Sequence, residues 1–298
     1  MKKIIRLLTM MIIMVMLVTG CGTIDDSGRN DAKGKTGANP ADTSDGDAGN
    51  QDTDGKTLGD PADSNGGSSV NQDEQEVVFE AEVIDAGQGL LVTPDPQSGE
   101  ARSSDKISVG LTDAKIIDQE GNEITLKELK AGDIVKITYN GLIMESYPAQ
   151  IRASAVQVID HNILIDGYLA LIDDIYNEDK GLNDEIDMIA LDTTAWSGLT
   201  EIEKEIIFSS MKEAYGLDTI EATYDELKQQ GLIDEDQLYF PKGIHIVISD
   251  FKYNEEKDTI TCAIKKWRSG LGAIGSDEVT AEYKDGRWKI SKGNMWIS

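Results

Sequence analysis

From Gly22 to Glu76 no apolar residue recurs at helical or strand spacing, so any packed core must be built from residues 77–298. These 55 positions carry 13 acidic and 4 basic residues, a net −9, among Gly, Ser, Asn, Thr and Ala. Such a tract buries too little apolar surface to offset its ordering entropy. It is expected to be a disordered acidic linker with a mean span of about 40 Å, lengthened by self-repulsion. Gly34-Lys35-Thr36 ends like a phosphate-binding loop. Its nearest upstream glycine, Gly28, is one residue too far, and no strand precedes it, so the motif is set aside.

Before the linker, Lys2, Lys3 and Arg6 form a basic start, and Leu7–Val18 is apolar except for Thr9. A membrane-spanning helix needs about 20 apolar residues. This 12-residue run fits the core of a signal peptide, residues 1–21. Val18-Thr19-Gly20-Cys21 resembles the lipobox of bacterial lipoproteins. That resemblance implies peptidase recognition at Val18, Thr19 and Gly20, and a diacylglycerol on the Cys21 sulfur. The expected membrane partner is then the lipid bilayer, reached through Cys21 on the extracytoplasmic face of the cell membrane, and two acyl chains anchor stably.

Charge narrows the partners. Lys and Arg total 28 against 55 Asp and Glu, a net −27, and loss of the signal segment takes this to −30. Nucleic acid and polyanionic surfaces are disfavoured; a neutral or cationic envelope ligand or protein partner is accommodated. Two cysteines and two histidines exclude a disulfide scaffold and a histidine-rich metal site. No cofactor and no metal are expected.

Residues 77–159 read as β. Val77–Ile84 partly alternates; Leu90–Val92, Lys106–Val109 and Lys115–Ile117 are short strands; Asp133–Tyr139 alternates again; Ile151–Ile159 is the last strand. Thr125 caps one helical turn over Leu126–Leu129, closed by Gly132, and Asn140-Gly141 is a hairpin turn signal. Six strands and one turn of helix suggest a small OB-like barrel. Leu126–Val135, then Tyr139-Asn140-Gly141 and Glu145–Gln150, resemble a small β-barrel domain of unknown function found in lipoproteins of Gram-positive bacteria. The resemblance brings no catalytic residues. The aromatics Phe79, Tyr139 and Tyr147 are too few for a base-stacking face, and Tyr147 before Pro148 reads as a packing element.

Residues 160–298 begin helical. Ile163, Leu164, Tyr168, Leu171, Ile172 and Ile175 recur at three- and four-residue spacing. Thr200/Glu203 and Thr223/Glu226 are capping boxes, with Gly216 and Gly231 as stops. Ile186–Leu191 fits strand or helix. Ile244/Ile246/Ile248, Ile260/Cys262/Ile264 and Val279/Ala281/Tyr283 then alternate. Asp285-Gly286 forms a two-residue hairpin pairing Tyr283 with Trp288 and Ala281 with Ile290. The expected class is a β-barrel followed by an α+β domain, with N-terminal helices and a C-terminal antiparallel sheet. This second part resembles the cone-shaped folds of the nuclear-transport-factor-2 kind, which implies a site inside the cone.

Chemistry-bearing motifs mostly yield to plainer readings. Gly270-Leu271-Gly272-Ala273-Ile274-Gly275 spells a dinucleotide fingerprint, but a strand pattern follows where a helix is needed, so it reads as a glycine-rich connection. Cys262 shares parity with inward residues and reads as a buried thiol, whereas His245 has the opposite parity to Ile244 and Ile246. Trp196, Trp267, Trp288 and Trp296 read as core before ligand platform. Asn177–Glu185 departs from calcium-loop spacing and reads as a solvated loop. The leading expectation is a non-enzymatic surface lipoprotein that binds a ligand or partner in the envelope. The alternatives are an enzyme with acid–base groups among Asp250, His245 and Tyr239, or a structural accessory subunit. A polar pocket would favour the enzyme and an exposed apolar patch the partner.

Overall fold

The structure, a computed structural model, describes residues 76–298. The expected signal segment, with Val18, Thr19, Gly20 and Cys21, and the expected linker up to residue 75 lie outside the described residues.

The first sheet holds β1 (Val77–Asp85), β2 (Leu90–Pro94), β3 (Ile107–Gly110), β4 (Lys115–Ile117), β5 (Glu123–Ile124), β6 (Asp133–Tyr139) and β7 (Ala149–His161). Five of them close a barrel. β1 pairs with β2, β2 with β3 and β6 with both β1 and β7, all antiparallel, and a parallel β3–β7 pairing closes the ring. Alternation explains the interior, because every second residue of a strand faces inward. β6 buries Asp133, Val135, Ile137 and Tyr139. Val135, Ile137 and Tyr139 meet Val83, Val92, Ile107 and Val156 in one apolar cluster. Thr125 caps a short 3-10 turn, as expected, and Glu128 completes a capping box with it.

Three expectations for this part are corrected. β5 adds a seventh strand, too short to show a period. Asn140-Gly141 does not form a two-residue hairpin; the connection runs from 140 to 148, with the Asn140 side chain accepting from the Leu142 amide. Tyr147 is 72% exposed and does not pack.

A single residue, Asn162, separates β7 from α1 (Ile163–Asn177). Then follow β8 (Met188–Asp192), α2 (Glu201–Tyr215), β9 (Asp218–Glu221), α3 (Tyr224–Gln229), β10 (Gly243–Asn254), β11 (Thr259–Ser269), β12 (Gly272–Lys284), β13 (Arg287–Lys292) and β14 (Met295–Ile297). The second sheet runs β13-β12-β11-β10-β8-β9, with β14 alongside β12. The stretch around 186–191 is therefore strand. β8 pairs parallel with both β10 and β9, so the sheet is mixed, not antiparallel throughout. Parallel neighbours need long crossovers, and α2 supplies the one between β8 and β9.

Both capping boxes form. α1 and α2 cover one face of the sheet. Ile165, Tyr168, Leu171, Ile172 and Ile175 of α1 and Ile206, Ile207 and Met211 of α2 meet Ile244, Ile246 and Ile248 of β10 and Ile260, Cys262 and Ile264 of β11. Each fully buried aliphatic side chain contributes about 1.5–3 kcal/mol. The Asp285-Gly286 hairpin forms in the expected register, with φ of 54° and 77°.

The glycine-rich connection is shorter than expected. Ser269 pairs with Gly272, so Gly270-Leu271 is the turn and Gly272–Gly275 already belong to β12. Gly270, Gly272 and Gly275 do not take positive φ. Gly272 and Gly275 are needed for close approach: a Cβ on Gly272 would stand 2.6 Å from Ser269 Oγ, and one on Gly275 would stand 2.6 Å from the Trp296 ring and 2.7 Å from the Ile264 carbonyl.

Candidate binding cleft

Side-chain alternation gives the sheet a second face, turned away from α1 and α2. Two rows of residues cross it in register. One runs Ala190, His245, Trp267, Ala273 over β8, β10, β11 and β12. The other runs Asp192, Val247, Lys265, Gly275, Trp296 over β8, β10, β11, β12 and β14. Part of this face is covered by residues 222–240, where Ala222, Leu227, Ile233 and Phe240 form a small apolar cluster on Ala190. The remainder is an open cleft of about 430 Å³, lined by most of both rows together with Tyr224, Leu238 and Gly270. That volume lies within the range of small-ligand and anchor-residue sites.

The walls are aromatic. Trp267 meets Tyr224 edge-to-face at 5.1 Å. Trp296 lies over Gly275, where the missing side chain makes room, and its indole N–H donates to Asp277 at 3.2 Å. At its edge stands Leu238, which is 51% exposed.

Three polar groups face this space. His245 is 3% exposed, and its Nε2 lies 3.1 Å from the Ala222 carbonyl. A carbonyl only accepts, so Nε2 carries the proton, and burial pushes the imidazole pKa down, keeping the ring neutral. Nδ1 is then an acceptor. The Asp192 Oδ1 accepts from the Thr194 amide at 3.0 Å and from its hydroxyl at 2.5 Å. Lys265 stands two strands away, with Val247 between, and forms no ion pair among the described residues.

The other expected acid–base groups are elsewhere. Asp250 is exposed at a bulge in β10, with φ 52°. Tyr239 accepts from the Arg268 guanidinium at 3.1 Å, and the same guanidinium lies over its ring. Asp250, His245 and Tyr239 therefore do not converge. Cys262 is buried on the helix-side face, and burial pushes its thiol up to about 12. His245 is on the opposite face, so the two cannot form a nucleophile–base pair. Among the cleft-lining residues Asp192 is the one carboxylate, whereas glycoside hydrolysis uses a facing pair.

The tryptophans divide. Trp196 and Trp288 pack against the helix-side core, Trp267 against the small cluster, and Trp296 against the cleft. The acidic loop after α1 is not simply solvated. It wraps the ammonium of Lys266, which donates to the carbonyls of Tyr176 at 2.9 Å, Glu178, and Asp179 at 3.2 Å, and to Asn183 Oδ1 at 3.1 Å. Lys266 is fully buried, and desolvation pulls its pKa down to about 8. This internal cation occupies the place where a metal would be sought. Its inward parity with Ile260, Cys262 and Ile264 was readable in the sequence.

The second histidine has a different setting. His161 Nδ1 lies 2.8 Å from Asp133 and Nε2 2.9 Å from Asp166, so both ring nitrogens donate and the pKa rises to about 9. Beside it the Asn162 amide donates to Glu82 at 3.0 Å and to Glu203 at 2.6 Å. Burial, with Glu203 nearby, lifts Glu82 to about 7. These six residues join β1, β6 and β7 of the barrel to α1 and α2.

Residues 77–160 match a family profile described as Protein of unknown function (DUF3221), which spans the barrel. No curated protein matches the chain.

Proposed function

We propose that the chain is a non-enzymatic binding module of the cell envelope, tethered by lipid at Cys21, with the cleft at Trp267 and Trp296 as its binding site. The observation that carries this reading is the composition of the cleft. Aromatic walls gain by being covered, and Asp192, His245 and Lys265 offer a carboxylate, a neutral imidazole and a cation to a bound ligand. The barrel is of the OB kind, a reading supported by its strand order β1-β2-β3-β7-β6 and its parallel closure. Two of its three aromatics, Phe79 and Tyr139, are buried edge-to-face at 5.6 Å, which leaves no stacking platform for nucleotides. The barrel is then a spacer between tether and cleft. The helix-covered face of the second sheet is filled by apolar side chains, so the cone reading gains no support for a site there.

Two measurements test this. Cys21→Ala should release the chain from the membrane fraction, and retention equal to the parent would sink the anchor assignment. Incubation of the full chain with soluble envelope peptides and glycans should raise its melting temperature while their masses stay unchanged. Mass loss or gain in the fragments would replace binding by catalysis.

A further inference from the structure

We infer that the cleft takes an uncharged saccharide, one ring lying against Trp267 and Trp296 with a hydroxyl donating to His245. The inference rests on the binding reading above and names its ligand class. His245 carries it furthest. The residue is 3% exposed, yet it lines the cleft, and its Nδ1 has no partner among the described residues. With the Nε2 proton committed to the Ala222 carbonyl, Nδ1 can only accept. A buried acceptor left unpaired is costly, so the ligand brings an O–H or N–H to this point. The rest of the lining favours the hydroxyl. Asp192 and Lys265 flank Val247 in one row, about 10 Å apart as two strand spacings. Asp192 keeps one carboxylate oxygen outside its Thr194 contacts, an acceptor, while the Lys265 ammonium donates. Ser298, paired with Ala273, adds a hydroxyl to the lining. A charged ligand meets both signs here. A hydroxyl both donates and accepts, so a ring of them satisfies either kind of partner, and the C–H face of a pyranose lies flat on an indole.

A peptide fits this lining less well. The cleft lies on the face of the sheet, where the strand backbones are already paired with one another, so no strand can be added there. Its branched aliphatic side chains are Val247 and Leu238, too few for a groove that seats a row of apolar anchors. A proline-rich segment suits aromatic walls, but its prolines bring no N–H to His245 Nδ1.

The test uses the full chain in vesicles of neutral phosphatidylcholine, titrated with maltose, cellobiose and N,N′-diacetylchitobiose and followed by tryptophan fluorescence and calorimetry. Saturable binding of at least one is expected, about tenfold weaker for Trp296→Ala and His245→Phe. Lys265→Met should weaken it about threefold. Lys265 is exposed and its ammonium has no partner among the described residues, so this variant remains informative if the other two fail to fold. Among monodeoxy analogues of the bound sugar, one should bind the parent about tenfold more weakly and His245→Phe no more weakly than the sugar itself does. Binding undiminished in all three variants, or deoxy analogues that weaken parent and His245→Phe alike, overturns the assignment. Tenfold tighter binding of the cationic diglucosamine overturns the uncharged ligand. Saturable binding of acetyl-Pro-Pro-Leu-Pro-amide or of phenylalanine, with none of the sugars bound, overturns the saccharide and leaves the cleft a binding site. Silence toward every probe overturns both.

Discussion

Gly275 shows how the structural reason for a glycine can differ from the one its sequence motif suggests. The sequence motif suggests a freely turning loop, but the residue is extended, in the middle of a sheet, and is small because Trp296 lies on it. Gly275→Ala drives a methyl into that indole and into the Ile264 carbonyl. Stability should fall by about 1–3 kcal/mol, and Trp296 emission should shift to the red as the ring is lifted into water. Urea denaturation and fluorescence check this; an unchanged midpoint with unchanged emission would contradict it. The position was legible as glycine-dependent. Its partner was not, because the β12–β14 pairing that brings Trp296 over it involves a three-residue strand with no period to recognise. Lys266 is the complementary case. Its parity placed it inside, but the carbonyl cage that makes a buried ammonium tolerable comes from a loop about 85 residues earlier.

At the scale of elements, alternation and capping boxes carried most of the reading. Long strands such as β6 and β10, and the helices α1 and α2, are locally determined, so their patterns survive into the structure. The parallel placement of β8 and β9 was not legible, since strand order is fixed by packing between distant segments. The junction between barrel and helices was also invisible, because Glu82, Asp133, His161, Asp166 and Glu203 are scattered over more than a hundred residues. Its titration has a definite sign. His161 is raised to about 9 and Glu82 to about 7, so the folded state binds more protons than the unfolded chain. Stability from His161 is fully present below about pH 6.5 and is lost as pH rises through 9. Glu82 adds to this fall between about pH 4.5 and 7. Thermal unfolding should therefore show stability decreasing by about 1.5 kcal/mol from pH 6.5 to 8, below the range where the lowered pKa of Lys266 acts in the opposite direction, with the slope largely removed in His161→Gln. A stability that rises over this range would contradict the charged assignment of His161.

In the whole molecule a barrel precedes a mixed sheet whose face away from α1 and α2 holds the proposed binding cleft. The two faces of that sheet contain tryptophans in different environments, which gives one measurement its controls. The full chain is labelled with 5-fluorotryptophan, and fluorine NMR spectra are recorded with and without soluble envelope fragments. Trp267 and Trp296 resonances should move together and saturably, while Trp196 and Trp288, packed on the helix side, stay in place. Shifts confined to Trp196 and Trp288, or no shift at any of the four with every fragment fraction, would contradict the assignment of the cleft as the binding site.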